Sequence, residues 1–290
     1  MLIYLRKIFN KSFIKNNKIL LNFALIIYFY SGYFSYLYSI LLNKPYIGSY
    51  YFSNLDSGRN RLNIINSVIN SVIKKIKKKE INILELGVYC GQNTINLKKK
   101  LSNYNVNHYA VDIFDSFKMS SDDKGYNNFF SKKTNSLLRN RNIHKLFLHN
   151  IRSTKFNEKY KIFTKKMTTK KFFKTNKRMY DLIIIDANHQ FKYVYSDIIY
   201  SIKFLNKGGI IIGDDYELNA KDISFNNLKK IKNIDYTEFN NKNFHPGVTL
   251  SVKYVFNNLQ NNNGLFCVKK NDKNFIDFFS KKIININKKY

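Results

Sequence analysis

The segment Asp181–Tyr216 reads DLIIIDANHQFKYVYSDIIYSIKFLNKGGIIIGDDY. It predicts a buried strand that ends at Asp186, a helix, a Lys-Gly-Gly turn and a second buried strand that ends at Asp214 and Asp215. Two strands joined by one helix form a right-handed parallel crossover, so both acidic turns are expected at the same carboxyl edge of the sheet. Three carboxylates that converge there repel one another, and a hard divalent cation is the simplest group to hold them together.

Short apolar runs alternate with amphipathic segments over most of the chain. Further strands are expected at Ile81–Leu86, His108–Val111, Lys145–His149, Lys161–Met167 and Leu265–Val268. Helices are expected over residues 62–76, 94–101 and 194–205 and after Pro246. The alternation predicts an α/β fold, a doubly wound Rossmann-like sheet with helices on both faces, over residues 51–290.

Residues 1–50 form a basic and hydrophobic extension outside this domain. Positions 19–43 carry no charge and follow five basic residues, which are Arg6, Lys7, Lys11, Lys15 and Lys18. The segment is long enough to span a bilayer, although its tyrosines, serines and asparagines dilute its hydrophobicity. Two interpretations stay open, a helix in or on a membrane and a helix packed on the domain or a partner. The expected location is cytoplasmic, with membrane association through residues 19–43 as the open question.

The formal net charge of +31 invites a nucleic-acid partner, because basic surfaces attract phosphate. Only seven of the 50 basic residues are Arg, whereas specific phosphate recognition favours Arg. A general compositional drift toward Lys, Asn and Ile explains the charge better, so the composition argues against nucleic acid. Two cysteines do not make a disulfide framework.

A glycine turn follows the first expected strand, in the sequence ILELGVYCGQNT from Ile83 to Thr94. Glycine permits positive φ and close backbone approach, and the helix that follows directs free amides into the same space. An acid, Asp112, ends the next strand, where it can accept hydrogen bonds from the hydroxyls of a ribose. Asp115 takes that position if the strand runs longer.

The segment from Glu85 and Gly87 to Gly91 resembles the first motif of class I S-adenosylmethionine-dependent methyltransferases, and Asp112 resembles their ribose-binding acid. The segments IIIDANH, KGGIIIGDDY and HPGVTLSV resemble metal-dependent small-molecule O-methyltransferases, above all the macrocin and sugar O-methyltransferase group. The resemblance covers about residues 80–270. It implies that Glu85, Gly87, Gly91 and Asp112 bind the cofactor and that Asp186, Asp214 and Asp215 bind Mg²⁺ or another divalent cation.

His189 is the candidate general base, because it follows Asp186 by three residues, where the catechol-type enzymes of this group have a catalytic lysine. An imidazole near its ordinary pKa suits the removal of a hydroxyl proton. Some sugar O-methyltransferases instead have an aspartate base two residues after the metal-binding acid, and this chain has Asn188 there. A structural role for His189 and a metal-bound hydroxide as the base therefore stay open.

These observations predict an O-methyltransferase that uses S-adenosylmethionine and a divalent cation to methylate a hydroxylated small molecule, with a sugar or glycoconjugate as the expected acceptor. An RNA methyltransferase and a membrane-tethered binding protein without turnover are the alternatives. The turn after Asp186 lacks the Asn/Asp-Pro-Pro-aromatic sequence common among base N-methyltransferases. The sequence leaves the oligomeric state open, a homo-oligomer included.

Overall fold

The computed structural model describes residues 17–46, 55–73, 80–115, 142–154, 158–272, 274–284 and 286. Two helices, α1 (Lys18–Leu41) and α2 (Leu55–Ile73), precede the sheet. The elements that follow are, in order, β1 (Ile81–Leu86), α3 (Gln92–Lys100), β2 (Val106–Asp112), α4 (Asn142–Ser153), β3 (Tyr160–Lys166), α5 (Thr169–Thr175), β4 (Tyr180–Ile185), α6 (Phe191–Lys203) and β5 (Leu205–Gly213). The last are α7 (Phe225–Ile231), β6 (Thr237–Phe239), β7 (Lys242–Phe244), α8 (Pro246–Phe256), β8 (Phe266–Lys270), β9 (Phe275–Asp277) and β10 (Ile283–Ile284).

Eight strands form one mixed sheet in the order β10-β9-β8-β5-β4-β1-β2-β3. Strands β1 to β5 are parallel, whereas β8, β9 and β10 add an antiparallel edge beside β5. The strand order reverses between β1 and β4, and ligands bind beside such a reversal in open α/β sheets. The predicted crossover between β4 and β5 is confirmed, so Asp186 and Asp214 follow neighbouring parallel strands.

The two faces of the sheet carry separate apolar cores, because alternate residues of each strand point to opposite faces. In β4, Ile183 and Ile185 pack in one cluster with helices α5, α6 and α8. Leu182 and Ile184 pack in the other cluster with helices α2 and α3. Helices on both faces confirm the predicted doubly wound arrangement.

One predicted strand is wrong. Lys145–His149 lies inside helix α4, where Ile143, Leu146 and Phe147 are buried on one side. The apolar residues of this segment recur at steps of three and four, which is the helical period, and a five-residue window is too short to distinguish it from a strand. The polar segment 115–142, for which the sequence predicts loop and helix, lies outside the described residues except at its ends.

Helix α1 exposes several apolar side chains to solvent, among them Ile19, Phe23, Phe34 and Leu41. Within the described part of the chain, no helix combines the length and the hydropathy that a membrane crossing requires. The spanning helix considered for residues 19–43 is therefore not confirmed. The segment just after α1 packs on the domain, because the backbone of Tyr46 exchanges two hydrogen bonds with the buried side chain of Asn150.

Candidate active site

The glycine turn lies directly against the turn that carries Asp186. Gly87 has a φ of 80°, and a Cβ atom built on it would overlap the backbone carbonyl of Asp186 and the Cα atom of Ala187. Gly91 has a φ of 87° at the amino-terminal cap of α3, where a Cβ atom would lie 2.9 Å from the ring of Phe147. Both glycines are thus required by positive φ and close packing. Gly87 in particular brings the predicted cofactor turn into contact with the predicted metal-binding turn.

Asp112 ends β2 beside the glycine turn, as the sequence predicts, and its carboxylate is bound to the turn itself. Its Oδ2 accepts hydrogen bonds from the backbone N–H groups of Val88 and Tyr89, both at 2.9 Å. Its Oδ1 accepts a bond of 2.7 Å from the N–H of Phe114. Because each carboxylate oxygen can accept about two bonds, Oδ1 retains capacity for one ligand hydroxyl. The exposed Asp115 lies three residues further on.

Glu85 lies beneath the turn, and its role in cofactor binding stays a prediction. The residue is 1% exposed, and its Oε2 accepts a hydrogen bond of 2.7 Å from the hydroxyl of Thr94 in α3. The same oxygen is 3.0 Å from Nε2 of the buried His108, whose Nδ1 is 2.9 Å from the hydroxyl of Tyr160. This buried chain links β1, β2 and β3 to α3, so Glu85 positions the turn from below.

The three predicted metal-binding acids lie at one edge of the sheet, at the ends of β4 and β5. Burial and the nearby carboxylates of Asp214 and Asp215 raise the pKa of Asp186 well above its ordinary value. Burial and Asp215 also raise the pKa of Asp214 to about 7, although a neighbouring arginine opposes the shift. Burial and the neighbouring carboxylates thus disfavour the ionised forms of both acids, and a bound cation would favour them.

Asp215 holds the centre of this edge in a strained backbone conformation. Its φ is 61°, in the left-handed region, which glycine adopts freely and which Asn and Asp adopt more often than other residues. Burial disfavours its charge, but the neighbouring His245, His189 and Arg61 outweigh burial and hold its pKa well below the ordinary value. Asp215 is therefore ionised, and a left-handed backbone at a residue other than glycine is typical of functional positions.

The predicted base, His189, lies between two carboxylates. Its Nε2 is 2.9 Å from Oδ2 of Asp215 and its Nδ1 is 3.0 Å from Oδ1 of Asp235. Burial lowers the stability of the charged ring, but the two carboxylates outweigh burial and raise the pKa of His189 well above its usual range. Since ionised carboxylates only accept hydrogen bonds, both ring nitrogens carry protons in this arrangement.

A second histidine completes the site from helix α8. The ring of His245 packs 4.3 Å from the ring of His189, centroid to centroid, and its Nδ1 is 3.0 Å from Oε1 of Glu217. The approach is possible because Gly247 begins α8 against the backbone of His189, where a Cβ atom would overlap the carbonyl oxygen. The sequence analysis did not identify Glu217 or Asp235, because both lie in a segment without periodicity.

Arg61 is a further residue of the site that the sequence analysis did not identify. It extends from α2 into the acidic cluster, with Nη1 2.6 Å from Oδ1 of Asp214 and 3.1 Å from Oδ1 of Asp215. Its Nη2 is 3.6 Å from Oε1 of Glu217. Helix α2 looks like an ordinary amphipathic helix in the sequence, and an arginine at its polar margin gives no signal of a carboxylate partner 154 residues away.

Cys90, in the glycine turn, has the packing role that its surroundings predict. It is 8% exposed, and burial raises the pKa of its thiol to about 12, so the thiol is not a nucleophile. Its backbone carbonyl accepts a hydrogen bond of 2.8 Å from the side-chain amide of Asn150. Asn150 therefore joins the glycine turn to the segment that contains Tyr46.

The donor atoms at this edge suit a divalent cation. Among the described residues, single ligand atoms of Asp186, His189 and Asp215 lie within 4.8 Å of one another, as do those of Asp215, Glu217 and His245 and those of His189, Asp235 and His245. Asp214 is absent from these groups, and its Oδ1 lies 2.6 Å from Nη1 of Arg61. The chemistry of the donors, carboxylates with one or two imidazoles, fits Mg²⁺, Mn²⁺ or a softer transition ion.

Residues 84–216, which include the glycine turn and all three predicted metal-binding acids, match the family described as Methyltransferase domain. Over this range, which is less than half of the chain, the sequence is similar to methyltransferase domains. Comparison with curated proteins gives no match.

Several solved structures are similar to this chain at low identity. An O-methyltransferase from Bacillus cereus in complex with SAH is 18% identical, with a TM-score of 0.32, over 64% of this chain and 66% of that one. The O-methyltransferase TomG from Streptomyces achromogenes, involved in tomaymycin synthesis and solved with SAM, is 12% identical over 54% and 55% of the two chains, with a TM-score of 0.30. CalS11, a TDP-rhamnose 3'-O-methyltransferase in calicheamicin biosynthesis, is 11% identical over 67% and 69%, with a TM-score of 0.33. The matched regions thus cover about two thirds or less of most of these proteins. TM-scores this low carry no argument about the substrate or the metal of this chain.

Proposed function

We propose that this chain is an S-adenosylmethionine-dependent O-methyltransferase that acts on a hydroxyl group of a small molecule, with a sugar or glycoconjugate as the expected acceptor. The observation that carries the proposal is the contact between Gly87 and the backbone of Asp186. It makes neighbours of the turn expected to hold the cofactor and the turn expected to hold the acceptor. Methyl transfer requires this proximity, because the two reacting atoms must meet in line.

The residues around the glycine turn fit the cofactor. The remaining acceptor capacity of Asp112 Oδ1 suits one ribose hydroxyl, and the exposed Asp115 can serve the other. Helix α3 begins at a glycine without a side-chain cap, so its first amides can face a ligand. S-adenosylmethionine, once bound, supplies the methyl group from a sulfonium centre.

The acidic edge is the proposed acceptor side. Asp186 and Asp215 are the residues expected to hold a divalent cation, with Asp214 adjoining them. Such a cation, when bound, orients an acceptor diol and lowers the pKa of its hydroxyl. The left-handed backbone at Asp215 is part of the turn that places its side chain in the cluster.

His189 stays the proposed base, with one condition that follows from its contacts. Its Nε2 proton is engaged by Asp215 and its Nδ1 proton by Asp235. A base role therefore requires Nε2 to lose its proton and to exchange Asp215 for the acceptor hydroxyl. Asp235 keeps the ring oriented through Nδ1 while that exchange occurs.

The test is transfer of a labelled methyl group from S-adenosylmethionine by the full chain to a panel of sugars, nucleotide sugars and catechols, with Mg²⁺ and with a chelator. Asp215→Asn removes the ionised carboxylate at the centre of the site, and Asp272→Asn changes an exposed surface carboxylate as the matched control. We expect labelled product from a hydroxylated acceptor with the wild type and the control, and little with Asp215→Asn. Transfer to RNA in place of the panel, or no transfer to any acceptor, would contradict the proposal.

A further inference from the structure

The guanidinium of Arg61 occupies the acidic edge as a resident cation. It contacts Asp214 at 2.6 Å and Asp215 at 3.1 Å through a single nitrogen, Nη1, and Glu217 at 3.6 Å through Nη2. Its side chain is 22% exposed. Coulombic attraction to these three carboxylates outweighs burial and raises the already high pKa of Arg61, so the group is a permanent positive charge.

The surrounding chain is shaped to receive this guanidinium. Nε of Arg61 donates a hydrogen bond of 3.1 Å to the backbone carbonyl of Asn263. A Cβ atom on the next residue, Gly264, would lie 2.5 Å from Nη2, so the absence of a side chain there makes room for the arginine. Four residues along α2, Ile65 is buried against the sheet, which fixes the helix from which Arg61 extends.

The position of Arg61 conflicts with a divalent cation at the same carboxylates. The Oδ1 atom of Asp215 already faces Nη1, and Oδ1 of Asp214 faces it more closely still. Two cations a few ångströms apart repel each other strongly in a partly buried site. A guanidinium that makes only monodentate contacts can leave, because its long side chain rotates without any change to the helix that bears it.

We propose that Arg61 is a displaceable internal cation, which neutralises Asp214 and Asp215 while no metal is bound and swings out when a divalent cation binds. This inference rests on the proposed function insofar as that function assigns a cation to the site. The ion would then bind against an internal competitor, and its affinity would be lowered by the cost of releasing Arg61. Removal of the guanidinium should strengthen ion binding even though it removes a polar group from the site.

Ion binding is measured on the full chain, without cofactor or acceptor, by electron paramagnetic resonance of free Mn²⁺. Arg61→Met keeps most of the side-chain length and loses the charge, and Arg61→Lys keeps a positive charge without the hydrogen-bond fork. Arg152→Met makes the same change at an exposed helical position and is the matched control. We expect Arg61→Met to bind Mn²⁺ about tenfold more tightly than the wild type, Arg61→Lys to lie between them, and Arg152→Met to match the wild type.

Displacement is observed separately through the Nε–H resonance of Arg61 in ¹⁵N-labelled wild type, where no substitution alters the site. The chain has seven arginines, so this resonance can be assigned by its loss in Arg61→Lys. We expect Mg²⁺ to shift the resonance and to speed its exchange with water, since the bond to Asn263 is lost. An unchanged resonance at saturating Mg²⁺, equal Mn²⁺ affinities of wild type and Arg61→Met, or no Mn²⁺ binding by either would overturn the inference. Methyl transfer that persists in chelator would leave the proposed transferase intact in each of these cases.

Discussion

Gly87 directly follows β1 and Asp186 directly follows β4, and their backbones are in such close contact that no side chain fits between them. Strands β1 and β4 are paired in register from Ile83 with Leu182 to Leu86 with Ile185, so the residues that follow these strands are necessarily neighbours. The predicted cofactor turn and the predicted acidic turn are thereby parts of one site.

This contact predicts that Gly87→Ala is far more damaging than the same change at another left-handed glycine. Gly208 has a φ of 77°, close to the 80° of Gly87, but a Cβ atom there meets nothing within 4 Å. Gly208→Ala should therefore cost only the backbone strain of about 1–2 kcal/mol. Gly87→Ala adds a clash with the Asp186 backbone and should cost several kcal/mol more, measured by urea unfolding. Equal losses in free energy of unfolding for Gly87→Ala and Gly208→Ala would show that the contact between Gly87 and Asp186 is not tight.

The acidic edge predicts a loss of methyl transfer from single neutralising substitutions. Asp215→Asn retains a residue that tolerates positive φ, so it removes the charge with little change of backbone. We expect kcat to fall by about a hundredfold or more, the range seen when one electrostatic group of an active site is removed. Asp214→Asn should also reduce transfer. Wild-type rates with either variant would contradict the assignment of this edge as the acceptor side.

The buried carboxyl of Asp197 should make the stability of the fold depend on pH, and this effect is separate from the active site. It is 2% exposed in α6, and burial raises its pKa to about 7 despite a hydrogen bond from Thr169 that favours the charged form. A carboxyl with a raised pKa binds its proton more tightly in the folded state, so stability falls as the pH rises from about 4 to about 7.

Asp197→Asn replaces this carboxyl by a neutral side chain of the same shape. The variant should match the wild type near pH 4 and exceed it by about 1 kcal/mol or more at pH 8, since one unit of pKa shift corresponds to about 1.4 kcal/mol. Urea unfolding at the two pH values measures the difference. Asp272→Asn, at an exposed position, serves as the control and should change stability equally at both. If the variant and the wild type differ in free energy of unfolding by the same amount at pH 4 and pH 8, the carboxyl of Asp197 is ionised at both pH values.

The hydrogen bonds of Asn150 should couple the segment that contains Tyr46 to the glycine turn. Its buried amide donates to the carbonyls of Tyr46 and Cys90 and accepts from the N–H of Tyr46. Asn150→Ala should destabilise the fold by about 2–3 kcal/mol, because buried backbone groups lose their partners. It should also weaken S-adenosylmethionine binding in a calorimetric titration. Asn70→Ala, at an exposed position of α2, is the control and should leave cofactor binding unchanged.

The parts of the fold that follow from periodicity and turn chemistry were predictable from the sequence. Strand Ile81–Leu86 has the predicted bounds, and the long apolar run before Asp186 could only be a strand covered on both faces. The segment Lys145–His149 was misread because five residues cannot separate a strand from one side of a helix. The antiparallel edge beyond β8 consists of strands of two and three residues, which leave no periodic signal.

The site residues that directly follow strands of the sheet could be predicted from the sequence. Those that reach the site from other elements could not. Asp112, Asp186, Asp214 and Asp215 are fixed by the parallel register, so their proximity follows from the topology. Arg61, Glu217 and Asp235 reach the same edge from a helix and a loop whose packing depends on long-range contacts. The protonated state of His189 was also beyond the sequence, because it depends on Asp235, 46 residues away.

The most direct test of the account is calorimetric titration of S-adenosylmethionine into the full chain, first with chelator and then with Mg²⁺. The glycine turn and Asp112 lie on the cofactor side, so we predict saturable binding in both conditions, with a catechol or sugar acceptor binding only when Mg²⁺ is present. Asp112→Asn should weaken cofactor binding while Mn²⁺ binding persists. Absence of S-adenosylmethionine binding in both conditions would contradict the assignment of the glycine turn and, with it, the proposed methyl transfer.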